Sequence, residues 1–336
     1  MSEHSKGIDP YLSLQERLQW AQNADPHQLS LLSRQATQEA TDRVHRDIIP
    51  WLNDNEVPFY DGMLFLHSTH VSGNEHLLLS RTQAKLPFYQ KYETLGGVVR
   101  SPNDPNILAG VYVYDPTDSR MEERTQIFLA PSAMQAEKLL RSLASASEQI
   151  FPIHRRNTLI DDQNVTLYLS AVQMAFLAIH PFFEANGKLS EDMLFILWNR
   201  RPDLRHTLRY PSSDGLRGHD GNAADQREEI NHRMFHAISK TVAVAVAGTL
   251  HKNNIGTIDP AQINTFTDLQ KATAAIPDSV LLFTYDQEIT KYIQGLIRDI
   301  GNGNTKSLQE NSFLRELAHN LDQSPRSYRF ADGTML

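Results

Sequence analysis

The chain has 336 residues, of which 40% are hydrophobic and 21% are charged, and its formal net charge is −8. These proportions are typical of a globular protein, and the negative charge argues against a general affinity for nucleic acid or anionic membranes. The sequence contains no cysteine, which excludes disulfides, thiolate metal ligands and cysteine nucleophiles.

Targeting signals are not evident in the sequence. Residues 1–15 contain no apolar segment of the kind found in secretory signal peptides. The most apolar run, residues 241–250, is about half as long as the roughly 20 residues needed to cross a bilayer. We therefore expect a cytoplasmic protein without a membrane span. Delivery into a host cell as a bacterial effector without a Sec signal fits the same observations.

The first half of the chain combines helical and β patterns. Residues 12–52 carry a helical pattern that is interrupted at Asp25-Pro26 and is predicted to end at Pro50. Residues 111–114 are β-branched and aromatic, and residues 125–129 pass from polar to apolar side chains in an alternating pattern. A turn-rich segment separates them, so the pattern predicts a β-hairpin.

Helical periodicity dominates the rest of the chain. Apolar residues recur at helical spacing in 131–147 and more strongly in 165–180, where Pro181 is predicted to end the helix. A further helix is predicted from Asp192 to Asn199, with Ser190 as its N-cap. Other helices are predicted at residues 225–250, 278–300 and 308–321. The fold class is therefore predicted to be mainly α with one β-hairpin.

One stretch carries residues suited to chemistry, His180-Pro181-Phe182-Phe183-Glu184-Ala185-Asn186-Gly187-Lys188. A histidine ends one helix, a carboxylate follows four residues later, and an Asn-Gly pair and a lysine precede the next helix. A helix N-terminus with unpaired N–H groups attracts anions such as phosphate. Glu184 could hold Mg²⁺, which prefers one or two carboxylates together with phosphate oxygens. His180 could take the proton from an attacking hydroxyl. The combination predicts phosphoryl-transfer chemistry.

This stretch resembles the signature of the Fic family, His-Pro-Phe-x-(Asp/Glu)-(Gly/Ala)-Asn-Gly-Arg-x-x-Arg, and matches it through Gly187. The resemblance implies a Fic fold, a helical core with a β-hairpin flap near residues 97–129. It maps onto a core domain at 59–245, with a helical extension at 1–58 and another at 246–336.

The resemblance also implies an activity, protein AMPylation or a related transfer. His180 would deprotonate a Ser, Thr or Tyr hydroxyl of a target protein docked as an extended segment on the flap. Glu184 would coordinate Mg²⁺, and Asn186 would join them as a catalytic residue. The phosphates of the nucleotide donor, ATP in most relatives, would be held by Ala185, Asn186, Gly187 and Lys188.

Two positions depart from the family pattern. Lys188 replaces the first arginine, which keeps the charge but loses the bidentate fork, and Glu191 replaces the second. A carboxylate about 4 Å from a terminal phosphate would repel it by on the order of 1 to 4 kcal/mol, and Asp192 would add to this. ATP in its usual pose is therefore disfavoured. A diphosphate-linked donor such as a CDP-alcohol, a metal that screens the carboxylate, or Arg200, Arg201 or Arg205 would relieve the conflict. UTP is a further alternative donor.

Several alternatives stay open at this point. The domain could remove a modification, or it could be a degenerate Fic module that binds without turnover. His180 could be an ordinary histidine at a helix C-terminus, where its charge is favoured. His232 and His236 are spaced for a metal on one helix face, but a solvated face is the more common reading. Glu310-Asn311 resembles the end of the family's inhibitory motif, and we favour a plain helix N-terminus there.

Overall fold

A computed structural model describes residues 12–78, 94–100, 112–114, 126–153, 164–200, 222–256 and 258–323. Over these residues the chain is mainly helical, which confirms the mainly α part of the predicted fold class. The chain forms two compact units. Unit 1 consists of Met1–Arg100 and Phe182–Ile196, and unit 2 consists of Ser101–Pro181 and Leu197–Leu336.

Unit 1 is built from short helices that follow one another closely. In chain order its helices are α1 (Leu14–Asn23), α2 (Pro26–Arg43), a π-helical turn (Val44–Ile48), α3 (Ile49–Asp54), α4 (Phe59–Val71) and α5 (Glu75–Leu78). It also contains most of α8 (Asn186–Asn199). The α4 helix has a fully buried face formed by Phe59, Met63 and Leu66.

The predicted interruption at Asp25-Pro26 is confirmed, because the Asp25 carboxylate accepts from the first free N–H groups of α2. The prediction that Pro50 ends the helical segment is wrong. Pro50 lies in the first turn of α3, and the chain stays helical to Asp54. A proline is tolerated there because N–H groups in the first turn of a helix have no acceptor within that helix, so the missing N–H group costs no hydrogen bond.

Unit 2 contains the longer helices and the strands. Its elements in chain order are β1 (Tyr112–Tyr114), β2 (Gln126–Leu129), α6 (Ala133–Ile150), α7 (Val165–Ile179), α9 (Asn222–Lys252), α10 (Phe266–Ala272), α11 (Asp278–Gly301), α12 (Thr305–Glu310) and α13 (Ser312–Gln323). The two strands pair antiparallel, with Tyr112 opposite Leu129. The turn predicted between them, and most of the proposed flap, lie outside the described residues.

The centre of unit 2 is α7. Every residue from Val165 to Ile179 is buried, and α6, α11 and α13 pack against the helix. A helix that is apolar all round belongs in the middle of a helical core. The Tyr168 hydroxyl, one of its few polar groups, lies 3.0 Å from the Thr305 hydroxyl at the start of α12.

Two predicted helices have different bounds in the structure. The helix predicted to start at Asp192 begins six residues earlier, at Asn186. Ser190, its predicted N-cap, lies inside the helix and donates its hydroxyl to the Gly187 carbonyl at 2.7 Å. The helix predicted at 308–321 is divided at Asn311, whose side chain accepts from two N–H groups at the start of α13. The plain helix N-terminus favoured for Glu310-Asn311 is found at Asn311, whereas Glu310 is the last residue of α12.

Candidate functional site

His180 is the residue that closes α7 in unit 2. Its backbone is left-handed, with φ of 47° and ψ of 59°, and its N–H group donates to the Phe176 carbonyl at 3.0 Å. Left-handed backbone is unusual outside glycine and asparagine, so the helix stops here abruptly. The side chain is partly exposed, and its ring centroid lies 6.2 Å from that of Phe235 on α9. The position matches the alternative of a helix-capping histidine, and Nδ1 of the ring is buried.

The loop that follows, in unit 1, is closed by the side chain of Asn186. Its amide oxygen accepts from the Phe182 N–H group at 3.1 Å, and its amide nitrogen donates to the Phe182 carbonyl at 2.9 Å. Asn186 is 3% exposed and Phe182 is fully buried. The loop 182–185 is therefore a rigid turn that leads directly into α8. The Asn186 side chain therefore has a structural role, the closure of this turn, in addition to the anion contact predicted for Asn186.

Glu184 and Ala185 form the outer part of this loop. Both are partly exposed, and Ala185 has a left-handed backbone with φ of 61°. A side chain in this conformation costs on the order of 1 kcal/mol, so the contacts around the loop must hold it in place. The α8 helix starts one residue later, and Leu189 donates its N–H group to the Ala185 carbonyl at 2.9 Å.

A histidine that sequence reasoning missed, His67 of α4, contacts this loop. Its Nε2 lies 3.2 Å from the backbone oxygen of Glu184, and its ring stacks on Phe182 with centroids 3.9 Å apart. The Gly97 N–H group donates to Nδ1 at 2.8 Å. Burial lowers the pKa of His67 to about 3, partly opposed by the contact with the Glu184 carbonyl. The imidazole is therefore neutral.

Lys188, the predicted phosphate ligand, lies in α8 beside two carboxylates. Its Nζ is 3.6 Å from Glu191 Oε2 and 3.7 Å from Asp192 Oδ1, and the side chain is 14% exposed. These are the i,i+3 and i,i+4 neighbours on the helix surface. The starting position of α8 at Asn186 brings all three residues onto one helix.

Asp192 is the centre of a buried polar cluster, which we define as Asp192, His45, His70 and Lys188. The carboxylate is fully buried, and His45 Nε2 and His70 Nε2 donate to its two oxygens at 2.7 and 2.5 Å. Burial alone would raise the pKa of Asp192, but the Lys188 ammonium and the two histidine hydrogen bonds outweigh it and hold the pKa well below its usual range. The carboxylate is thus ionised and balanced by its neighbours.

This cluster changes the expected charge pattern of α8. From the sequence, Asp192 was expected to add to the repulsion between Glu191 and a donor phosphate. In the structure its charge is compensated by Lys188 and two imidazole N–H groups. The electrostatic effect of Asp192 on a bound anion should therefore be smaller than the sequence indicated. The repulsion expected between a donor phosphate and Glu191, whose side chain is 16% exposed, is unchanged.

Searches against protein-family models, curated protein sequences and solved structures found no match to this chain. The Fic resemblance therefore rests on the motif itself. In the part of the chain that the structure describes, no helix has the length and apolar character of a membrane span.

The described residues contain no group of three or more His, Asp or Glu side chains arranged to hold a metal. A Mg²⁺ ion bound through one carboxylate and the phosphates of a nucleotide needs no such group, and the partly exposed Glu184 fits this mode. The side chains of His232 and its acidic neighbours lie outside the described residues.

Of the arginines that could supply a second cation, Arg201 and Arg205 lie outside the described residues. Arg200 belongs to unit 2 and is 8% exposed. Burial lowers its pKa to about 10, against the opposing effect of Glu148. The guanidinium is charged at neutral pH and has a carboxylate of its own unit near it.

Proposed function

We propose that the protein is a Fic-type transferase that moves a phosphate-containing group from a nucleotide onto a protein hydroxyl. The observation that carries this proposal is the form of the 182–186 loop. A partly exposed carboxylate stands on a turn closed by the Asn186 amide, immediately before the N-terminus of the 14-residue helix α8. Acid, anion-attracting N–H groups and the general base of the same motif are the parts that phosphoryl transfer requires.

In this mechanism His180 takes the proton from a Ser, Thr or Tyr hydroxyl of the target. The hydroxyl oxygen forms a bond to a donor phosphorus, and the bond from that phosphorus to the leaving phosphate oxygen breaks. With ATP the products are the AMP-modified hydroxyl and pyrophosphate. Mg²⁺ bound by Glu184 would neutralise charge on the phosphates. The N–H groups at Ala185, Asn186 and Gly187 would bind the oxygens of the transferred group.

The contacts of Lys188 bear on the donor. An ammonium shared between Glu191 and Asp192 has less charge to offer a phosphate than the arginine of the family pattern. Glu191 would repel a leaving group with less negative charge than pyrophosphate more weakly than it repels pyrophosphate itself. We therefore infer that a diphosphate-linked donor such as a CDP-alcohol is a better substrate than ATP, with UTP as the second triphosphate to compare.

The test is transfer measured by intact mass. The protein is incubated with Mg²⁺ and, separately, with ATP, UTP and CDP-choline, with and without a cell lysate as the source of target. The expected result is a mass increase that identifies the group, absent from His180→Ala and strongly reduced in Glu184→Gln. His251→Ala is the matched control, since His251 is an exposed histidine at the end of α9. Transfer that survives His180→Ala would refute the proposal.

A second function, nucleotide binding without turnover, is favoured by one observation. Both carboxylates near the Lys188 ammonium lie on the same helix, so the cation is already compensated before any ligand arrives. A degenerate module of this kind would bind a nucleotide in calorimetry and give no mass change with any donor. An enzyme that removes the modification would instead release nucleotide from a modified protein, which the same mass measurement detects.

A further inference from the structure

We propose that His67 is a positioning residue that sets the backbone of the 182–186 loop and, through it, the direction of the Glu184 carboxylate. This inference rests on the proposed function for its catalytic consequence and on the contacts of unit 1 for its structural part. His67 is a residue of α4, far in sequence from the motif, and neither composition nor motif spacing pointed to it.

The hydrogen bonds of His67 select one form of the ring. Gly97 donates its N–H group to Nδ1 at 2.8 Å, so Nδ1 must be the nitrogen without a hydrogen. The hydrogen of a neutral ring is then on Nε2, which can donate to the Glu184 carbonyl at 3.2 Å. A charged ring would place an N–H group against the Gly97 N–H group, so the site excludes the imidazolium.

The turn that supplies this N–H group depends on two glycines. Gly97 has a left-handed backbone with φ of 75°, which favours glycine. A Cβ atom on Gly96 would lie 3.0 Å from the backbone Cα atom of Ser68 in α4. The Gly96 N–H group also donates to the Thr94 hydroxyl at 3.0 Å. The turn is therefore built so that its backbone approaches α4 closely and reaches the imidazole.

The contacts of the loop divide between its two ends. Asn186 binds both backbone groups of Phe182, and Val99 forms a β-bridge with Phe182. These contacts fix the start of the loop. His67 stacks on the Phe182 ring and also reaches the carbonyl of Glu184, next to the left-handed Ala185. His67 therefore orients the peptide group between Glu184, the proposed metal ligand, and Ala185, the residue with the strained backbone.

Three substitutions separate the contacts. His67→Gln places an amide near the Nε2 position and keeps a donor for the Glu184 carbonyl. His67→Asn keeps an acceptor near the Nδ1 position for the Gly97 N–H group. His67→Phe keeps only the stacking on Phe182. His76→Phe is the matched control, because His76 is also buried in unit 1 and neutral, with its pKa lowered by burial to about 4, and it packs against Trp20.

The structural readout is independent of activity. Long-range proton–nitrogen NMR of the wild-type protein at about pH 6 should show His67 with its hydrogen on Nε2. Amide hydrogen exchange at Phe182 and Glu184 should be at least about tenfold faster in His67→Phe than in His76→Phe. A hydrogen on Nδ1, or equal exchange in the two phenylalanine variants, would overturn the inference. This part is decided even if the wild-type protein transfers nothing.

The catalytic readout is the Mg²⁺ concentration that gives half-maximal transfer. Loss of an outer contact to a metal ligand commonly weakens metal binding by about tenfold or more. We expect His67→Phe and His67→Asn to need about tenfold more Mg²⁺, and His67→Gln to lie closest to wild type. The KM for the protein target should be unchanged. If the wild-type protein is active and all three variants keep its Mg²⁺ dependence, the positioning role is wrong while the proposed function stands.

Discussion

The buried carboxylate of Asp192 offers the most direct test of the structure. Replacing it by asparagine keeps the size of the side chain and removes its charge. The amide oxygen can still accept from one histidine, but the amide NH₂ group would face the N–H group of the other. His45 and His70 both donate through Nε2, so one of them must change its tautomer or lose its hydrogen bond.

The expected loss follows from the distances. Lys188 Nζ lies 3.7 Å from the carboxylate, and two unit charges at this distance attract by about 4 kcal/mol at an effective dielectric of about 20. A hydrogen bond to a charged group adds about 1.5 to 3 kcal/mol. The desolvation of the buried carboxylate offsets part of this sum. The removal of one partner from a buried pair lowers the free energy of unfolding by about 3 to 5 kcal/mol in general, and we expect about 3 kcal/mol for Asp192→Asn.

The assay is urea denaturation at about pH 7, followed by fluorescence and circular dichroism. Trp20 and Trp51 belong to unit 1, where the cluster lies, so the fluorescence change should include its unfolding. Glu191→Gln is the matched control on the same helix. Its carboxylate is 16% exposed and 3.6 Å from the same ammonium, and a pair that reaches solvent contributes about 0 to 1 kcal/mol.

The contrast between the two variants is the decisive result. Asp192→Asn should be less stable than Glu191→Gln by about 2 kcal/mol or more. Equal stabilities would mean that Asp192 is not held by His45 and His70 in a buried cluster. Lys188 belongs to the same cluster, so that result would also remove the argument that its charge is compensated before a donor binds.

Three further predictions follow from the described contacts. The pKa of the Asp192 carboxyl is lower in the folded chain than its unfolded value of about 3.9, so its contribution to stability is complete above that value and is lost as the pH falls toward the folded pKa. In acid titrations the stability gap between wild type and Asp192→Asn should therefore begin to narrow below about pH 5 and continue to narrow as the pH falls further. Ser132, at the start of α6, donates its hydroxyl and its N–H group to Asp286 of α11. Ser132→Ala should therefore lower the free energy of unfolding by about 1 kcal/mol. The control is Ser142→Ala, which removes an exposed hydroxyl bonded only within its own helix and should change the free energy of unfolding by less than about 0.5 kcal/mol. Under the proposed function, Glu191→Arg should tighten ATP binding about fivefold or more in calorimetry with Mg²⁺, because a repulsion becomes an attraction; an unchanged affinity would show that this position does not face the donor.

Part of the candidate site followed from the sequence because it depends on short spacings. The motif places His180, Glu184, Asn186 and Lys188 within nine residues, and Pro181 after an apolar helix fixes where α7 ends. Whether these residues perform the proposed transfer is still a prediction. The start of α8 could not be obtained in the same way, because Ser190-Glu191-Asp192 is itself a good N-cap pattern. The bonds between Asn186 and Phe182 decide in favour of the earlier start.

The sequence by itself determined that this chain is mainly helical, where its longest helices lie, and which segment carries chemical groups. These properties depend on hydrophobic periodicity, prolines and caps, all of which act over a few residues. The tertiary structure decided how the charges of that segment are used. His45 and His70 reach Asp192 across 147 and 122 residues, and His67 reaches Glu184 across 117. No local pattern encodes such pairings, because they arise only when separate helices pack and every buried polar group must find a partner.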